Sequence, residues 1–95
     1  MGAKRLTDEA YTVTGVLTPD VTGNYIRVPE YNSKPSYMLA AGGWYIWWDG
    51  VDTWNISTVQ GTQGANYWTR VSAAIAGVYA VGGGSIGEAT VALTV

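Results

Sequence analysis

Four of the five tryptophans in this chain fall in one short segment, Gly43–Ser57, which reads GWYIWWDGVDTWNIS. At its centre, Asp49-Gly50 is a strong turn signal, flanked by the aromatic and β-branched residues that favour extended strands. The segment is therefore expected to form a β-hairpin. With Asp49–Asp52 as the loop, Trp48 faces Thr53, Trp47 pairs with Trp54 and Tyr45 pairs with Ile56. One face then reads as core. The other carries Trp44, Ile46 and Trp48 opposite Ser57, Asn55 and Thr53, aromatic on one strand and polar on its neighbour. Such a face is too apolar for water and too polar for an interior. It points to a binding surface rather than a catalytic centre.

The rest of the chain from Ala10 onward also reads as strands. Tyr11, Val13 and Leu17 alternate with Thr12, Thr14 and Val16, and Thr18-Pro19-Asp20 makes a turn. Asn24–Val28 is a second strand. Pro29 and Pro35 are expected to bracket a loop, because proline cannot donate to a ladder. Tyr37–Ala40 begins a third strand, and Gly42-Gly43 turns into the tryptophan hairpin. Tyr67-Trp68-Thr69-Arg70, Val78–Val81 and Glu88–Val95 follow, separated by Gly61–Gly64, an ambiguous Val71–Ala76 with the composition of a helical turn, and Gly82–Gly84. Val21-Thr22-Gly23-Asn24-Tyr25 is echoed by Ile75-Ala76-Gly77-Val78-Tyr79: a β-branched residue, a spacer, glycine, any residue, tyrosine. Many short strands with turns between them predict an all-β domain, a small antiparallel β-sandwich or barrel. The expected organisation is a short charged N-terminal arm over residues 1–9 and a single β-domain over 10–95. The strand pattern runs to Val95, and that last strand must pair either within its own sheet or across a subunit boundary.

Composition narrows the function. A chain of 95 residues makes one domain with a thin core. It has no Cys, so neither a disulfide nor a thiolate metal site can reinforce it. It also lacks His and Phe, so its aromatic surface belongs to Trp and Tyr, large apolar bodies with a polar tip. Only 13% of residues are charged, and the net charge is −2. That is about half the usual charged fraction and favours association. Lys4, Arg5, Arg27, Lys34 and Arg70 are scattered, with no basic stripe for phosphates, so nucleic acid is not an expected partner. The longest apolar stretch, Ala73–Gly84, is glycine-rich and short of the roughly 20 residues of a membrane helix; no membrane partner is expected. No signal-peptide core follows Met1, and the expected place of synthesis is the cytoplasm.

Without His or Cys, the usual general bases and nucleophiles are missing, and no enzyme activity or cofactor is expected. Asp49 and Asp52 mimic a glycosidase pair in spacing, but a solvated tip cannot raise a carboxyl pKa, and Asp-Gly already explains the turn. Asp20, Glu30, Asp49 and Asp52 are oxygen donors without the ligand spacing of a calcium loop. Glycan binding is the serious alternative to assembly. Trp44 and Trp48, with Asn55, Asp49 and Gln60 or Gln63, have the chemistry of a sugar platform. Trp residues two apart on a strand lie roughly 7 Å apart on one face, which suits packing against a protein equally well. Low charge and a thin core favour a protein–protein interface built on Trp44, Ile46, Trp48, Asn55 and Asp49.

Leu17-Thr18-Pro19-Asp20-Val21-Thr22-Gly23-Asn24-Tyr25, the segment Gly43–Ser57, Tyr67-Trp68 and the ending Gly77-x-Tyr79…Gly87-x-Ala89-Thr90-Val91 together resemble a small aromatic β-module. Such modules occur in tailed-phage structural proteins and as appended repeats in bacterial proteins. The resemblance covers most of Val16–Val91 and rests on turn and aromatic positions. It implies a bacteriophage virion accessory protein, such as a capsid decoration (cement) protein or a fibre component. Its partners would be other copies of itself and a larger capsid or tail protein, and its location the virion. It implies no catalytic or binding residue.

Overall fold

The structure, a computed structural model, describes residues 10–94. The arm expected over residues 1–9 lies outside them. Eight strands follow one another: β1 (Ala10–Thr14), β2 (Gly23–Tyr31), β3 (Lys34–Leu39), β4 (Tyr45–Trp48), β5 (Thr53–Ser57), β6 (Asn66–Val71), β7 (Gly77–Gly83) and β8 (Ala89–Thr94). Each pairs antiparallel with the next, and β8 returns to β1, so the sheet closes into an up-and-down barrel. The all-β expectation holds, and of sandwich and barrel the chain forms the barrel. Closure decides between the two pairings open to the last strand. The last strand pairs within its own subunit, through Val13↔Val91 and four neighbouring pairs to β1, so it offers no edge to a neighbour.

A barrel of about eight strands has an interior just wide enough to be filled by side chains. Here Val13, Tyr25, Tyr37, Ile46, Trp48, Trp54, Ile56, Trp68, Tyr79 and Val91 fill it. The choice of Tyr and Trp over Phe has a visible reason. Four of these aromatics carry a polar tip that bonds a loop carbonyl at an end of the barrel. Tyr25 Oη donates to Val21 O at 2.7 Å and Trp68 Nε1 to Gly87 O at 2.7 Å at one end. Tyr79 Oη donates to Ile75 O at 2.7 Å and Trp54 Nε1 to Ala73 O at 3.1 Å at the other. The core thus ties down the loops that cover it, and no described buried side-chain polar atom is left unpaired.

The echo in the sequence is one device used twice. Gly23 and Gly77 each start a strand at positive φ (135° and 140°), a region that favours glycine. The tyrosine two residues on then bonds the carbonyl four residues behind it. The stretch after Val71 forms no helix; it is a bent loop in which Ala74 N donates to Ser72 Oγ at 3.1 Å. The prolines also depart from expectation. Pro29 and Pro35 lie inside β2 and β3. The pairing shifts register between Val28 and Tyr31, so Pro29 sits at an irregularity where no ladder bond is required of it. The turn is only Asn32-Ser33, both at positive φ (53° and 68°), the backbone of a two-residue hairpin loop.

Candidate functional site

The tryptophan hairpin exists, but its register differs by one residue from the expected one. Asp49 belongs to the ladder, with its N–H donating to Thr53 O at 3.0 Å. Its carboxylate Oδ1 accepts the N–H groups of Val51 (2.8 Å), Asp52 (3.0 Å) and Thr53 (3.1 Å). The loop is therefore Gly50–Asp52. Trp48 pairs with Trp54, Trp47 with Asn55, Ile46 with Ile56 and Tyr45 with Ser57. A one-residue slip on one strand exchanges which face its partners share. The expected register would have set Ser57, Asn55 and Thr53 beside Ile46 and Trp48 on an outer face; the observed one sets Trp54 and Ile56 beside them, in the interior.

The expected interface residues are accordingly dispersed. Ile46 and Trp48 point into the barrel, Trp48 only 8% exposed. The Trp48 and Trp54 ring centroids lie 5.4 Å apart, and Lys34 Nζ sits 5.0 Å from the Trp48 ring. Trp44 is half-buried against the core, edge-on to Trp68 at 6.1 Å. Asn55 is buried on the opposite, outer face of the hairpin, and the Asp49 carboxylate is committed to the N–H groups of Val51, Asp52 and Thr53. An exposed face of Trp44, Ile46 and Trp48 does not form, because the barrel interior needs those side chains. The same burial removes the sugar platform built on Trp44 and Trp48.

The loop carboxylates have a structural role. Partial desolvation raises the Asp49 carboxyl, but the backbone N–H groups of Val51, Thr53 and Asp52 together outweigh it and hold the group below the ordinary carboxylate range. That is the wrong direction for a general acid. Asp52 accepts the Thr53 hydroxyl at 2.7 Å. Asp20 lies in the β1–β2 loop, at the opposite end of the barrel from Asp49 and Asp52. It accepts the Thr22 hydroxyl (2.6 Å) and N–H (3.0 Å), bonds that lower its pKa.

Two surfaces were not legible in advance. The first is a polar layer on the outer face of β3–β5, roofed by residues 58–65 of the β5–β6 loop. Trp47, Ser36, Asn55 and Ser57 are all buried in it. The Trp47 indole N–H donates to Ser57 Oγ at 2.8 Å, and that hydroxyl lies 2.9 Å from Val59 O and 2.7 Å from Thr62 O. Gln63 Nε2 donates to Asn55 Oδ1 at 2.9 Å, and Gln60 Nε2 donates to Ser36 Oγ. Of the residues expected at a sugar platform, Asn55, Gln60 and Gln63 do converge, but on Trp47 rather than on Trp44 and Trp48. The available signal was Trp47 itself, a large aromatic on the face that the observed register makes polar.

The second surface is the barrel wall formed by β7, β8, β1 and the first half of β2. Tyr79, Val91, Val13 and Tyr25 point inward, so strand alternation turns Val78 and Ala80, Thr90 and Ala92, Thr12 and Thr14, and Asn24 and Ile26 outward. None is charged. The row is continuous across the ladder, with Val78↔Thr90↔Thr14 and Ala92↔Thr12↔Asn24 in register. Thr12 Oγ1 donates to Asn24 Oδ1 at 3.0 Å and also bonds the Thr94 hydroxyl, which links β8, β1 and β2 across the wall. At the barrel ends Val16 (94% exposed) and Ile86 stand on one side and Val51 and Val71 on the other, all exposed.

Among the described residues no pocket opens and no group of three or more acidic, His or Cys side chains is placed to hold a metal ion. Comparison of the chain with protein-family models, curated proteins and solved structures gave no match.

Proposed function

We propose that the chain is a non-enzymatic structural module that binds other copies of itself and a larger protein lattice. The setting implied by its resemblance to tailed-phage accessory proteins is a virion, as a decoration or fibre component. The observation that carries this proposal is the charge-free wall over β7, β8, β1 and the first half of β2. A soluble surface is normally studded with charges, and the centres of protein interfaces are depleted of them because a buried charge without a partner is costly. A wall of Thr, Ala, Val, Ile and Asn side chains can be desolvated without stranding an ion. The closed sheet excludes association by strand addition, so contact must be face to face. The exposed valines and Ile86 at the barrel ends add apolar area of the same kind.

Sedimentation velocity over a concentration series tests the self-association. The wild-type chain is expected to shift from monomer toward a larger species. Ile26→Lys with Ala92→Lys, two outward substitutions that are not cross-strand partners and leave the interior untouched, is expected to stay monomeric. A wild-type chain that is monomeric up to about 1 mM, an association weaker than about 4 kcal/mol, would overturn the self-binding claim. The virion setting is tested separately by looking for the chain in purified particles; its absence there would leave a self-associating module without that location.

A further inference from the structure

The roofed layer on β3–β5 lies across the barrel from the charge-free wall, since β4 is four strands from β8 in either direction. The groups beneath the roof are an aromatic ring, hydroxyls and an amide, with no charge among them. Tyr31 stands edge-on to Trp47 at 6.0 Å and 81°, and the Tyr31 hydroxyl abuts Gly61, where an added Cβ would lie 2.1 Å from it. The roof is held by neutral hydrogen bonds: the Gln60 and Gln63 amides to Ser36 and Asn55, and the Val59 and Thr62 carbonyls to Ser57. The Val59 side chain is exposed instead of packed beneath. Opening such a roof exchanges these bonds for bonds to water, and Trp47 becomes the main apolar surface uncovered. Segments held this way open at a lower free energy than the core.

We propose that this layer is a binding site for a neutral saccharide, which the chain's own Thr58–Ala65 loop occupies in the closed protein. A pyranose ring presents a C–H face that fits the Trp47 ring. Its hydroxyls both donate and accept, which meets the needs now met by the loop: Ser57 must give its proton to an oxygen while accepting from the Trp47 indole, and Asn55 must receive a donor. The loop amides and carbonyls stand where sugar hydroxyls would stand. A phosphate or a carboxylate would find no counter-charge among these groups. Because only the open fraction binds, the apparent affinity is weakened by the closed population and recovers when closure is loosened.

The test is a ¹H–¹⁵N titration of the full chain with maltohexaose, cellohexaose and chitohexaose in turn, with sorbitol as a polyol control. The Trp47 indole signal is identified by its loss in Trp47→Phe. The saccharide is expected to move the Trp47 signal while those of Trp54 and Trp68, inside the barrel, stay still. In the Gln60→Ala/Gln63→Ala variant the apparent Kd should fall by about three-fold or more as closure weakens. Three results would overturn the proposal: no Trp47 shift with any of the three probes in either protein, an equal shift with sorbitol, or weaker binding in the double variant. If the double variant fails to fold, the wild-type titration alone decides, since a protein in exchange with its open form must still show the selective Trp47 shift.

Discussion

Replacing Tyr79 by Phe removes one oxygen atom from the core and nothing else. Tyr79 is fully buried, and its hydroxyl donates to the Ile75 carbonyl at 2.7 Å, fixing the β6–β7 loop over one end of the barrel. The ring stays in place, so no cavity of consequence opens. What is lost is one hydrogen bond, with a net value of about 1 kcal/mol, and the Ile75 carbonyl is left short of a partner, which brings the total cost to roughly 1–3 kcal/mol. For a chain of 95 residues the whole stability is expected at about 5–14 kcal/mol, so the variant folds but is measurably weaker. With a urea m-value of about 1–1.5 kcal/mol/M for this size, the midpoint should fall by about 0.7–3 M at unchanged m. Tyr25→Phe makes the same change at the opposite end, where the hydroxyl bonds Val21 O. The two losses should add in the double variant to within about 0.5 kcal/mol, as expected for sites that share no partner. A Tyr79→Phe midpoint within about 0.3 M of wild type would refute the claim that aromatic tips hold the loops onto the barrel.

Both phenols also set an alkaline limit. Burial raises the pKa of Tyr25 and Tyr79 well above the ordinary phenol value; the charge of Asp20 adds to the effect at Tyr25, and Arg70 partly offsets it at Tyr79. The unfolded chain therefore releases these protons first. Stability should be level below pH about 10 and decline above it, less steeply in the two Phe variants, as urea midpoints across pH 8–11 will show. Asp49→Ala removes the acceptor of three backbone N–H groups and should cost about 1–2 kcal/mol. Because its folded pKa is lowered, the wild-type advantage is present above the unfolded carboxyl pKa and should vanish as pH falls through the folded value, which acid titration of both proteins will test. Ser57→Ala removes the hydroxyl that links Trp47 to the Val59 and Thr62 carbonyls. It should cost about 1–3 kcal/mol and increase acrylamide quenching of tryptophan emission, an increase that disappears in a Trp47→Phe background.

The sequence was most informative where local chemistry dictates the answer. Asp49-Gly50 and Gly61–Gly64 each mark a real reversal, and Tyr67–Arg70 and Val78–Val81 each lie inside a real strand; Gly82 and Gly83, read as a turn, instead extend β7 by pairing with Tyr67 and Asn66, and the reversal begins only at Gly84. The matching roles of Tyr25 and Tyr79 were visible as an echo, although the bond that explains it was not. Closure of the barrel was not legible, because it depends on β1 meeting β8 across nearly the whole chain, a choice that no local pattern encodes. Pro29 misled because the penalty for proline in a strand disappears at a register shift. The hairpin register misled for a smaller reason. Whether Asp49 lies in the loop or on the ladder depends on where its carboxylate finds donors, and that single residue decides whether Trp48 meets Thr53 or Trp54. Once the pairing is fixed, the rest of the site follows: Trp48 goes inward, Trp47 goes outward, and Asn55, Gln60 and Gln63 gather around Trp47.

Solvent accessibility of threonine and alanine methyl groups, read by a soluble paramagnetic agent at low and at high protein concentration, bears most directly on the central claim. Thr12, Thr90 and Ala92 should become protected as concentration rises, while the loop methyls near Gly43–Ser57 keep their accessibility. Protection centred on the tryptophan hairpin, with the threonine wall unchanged, would contradict the claim that the chain associates through its uncharged side.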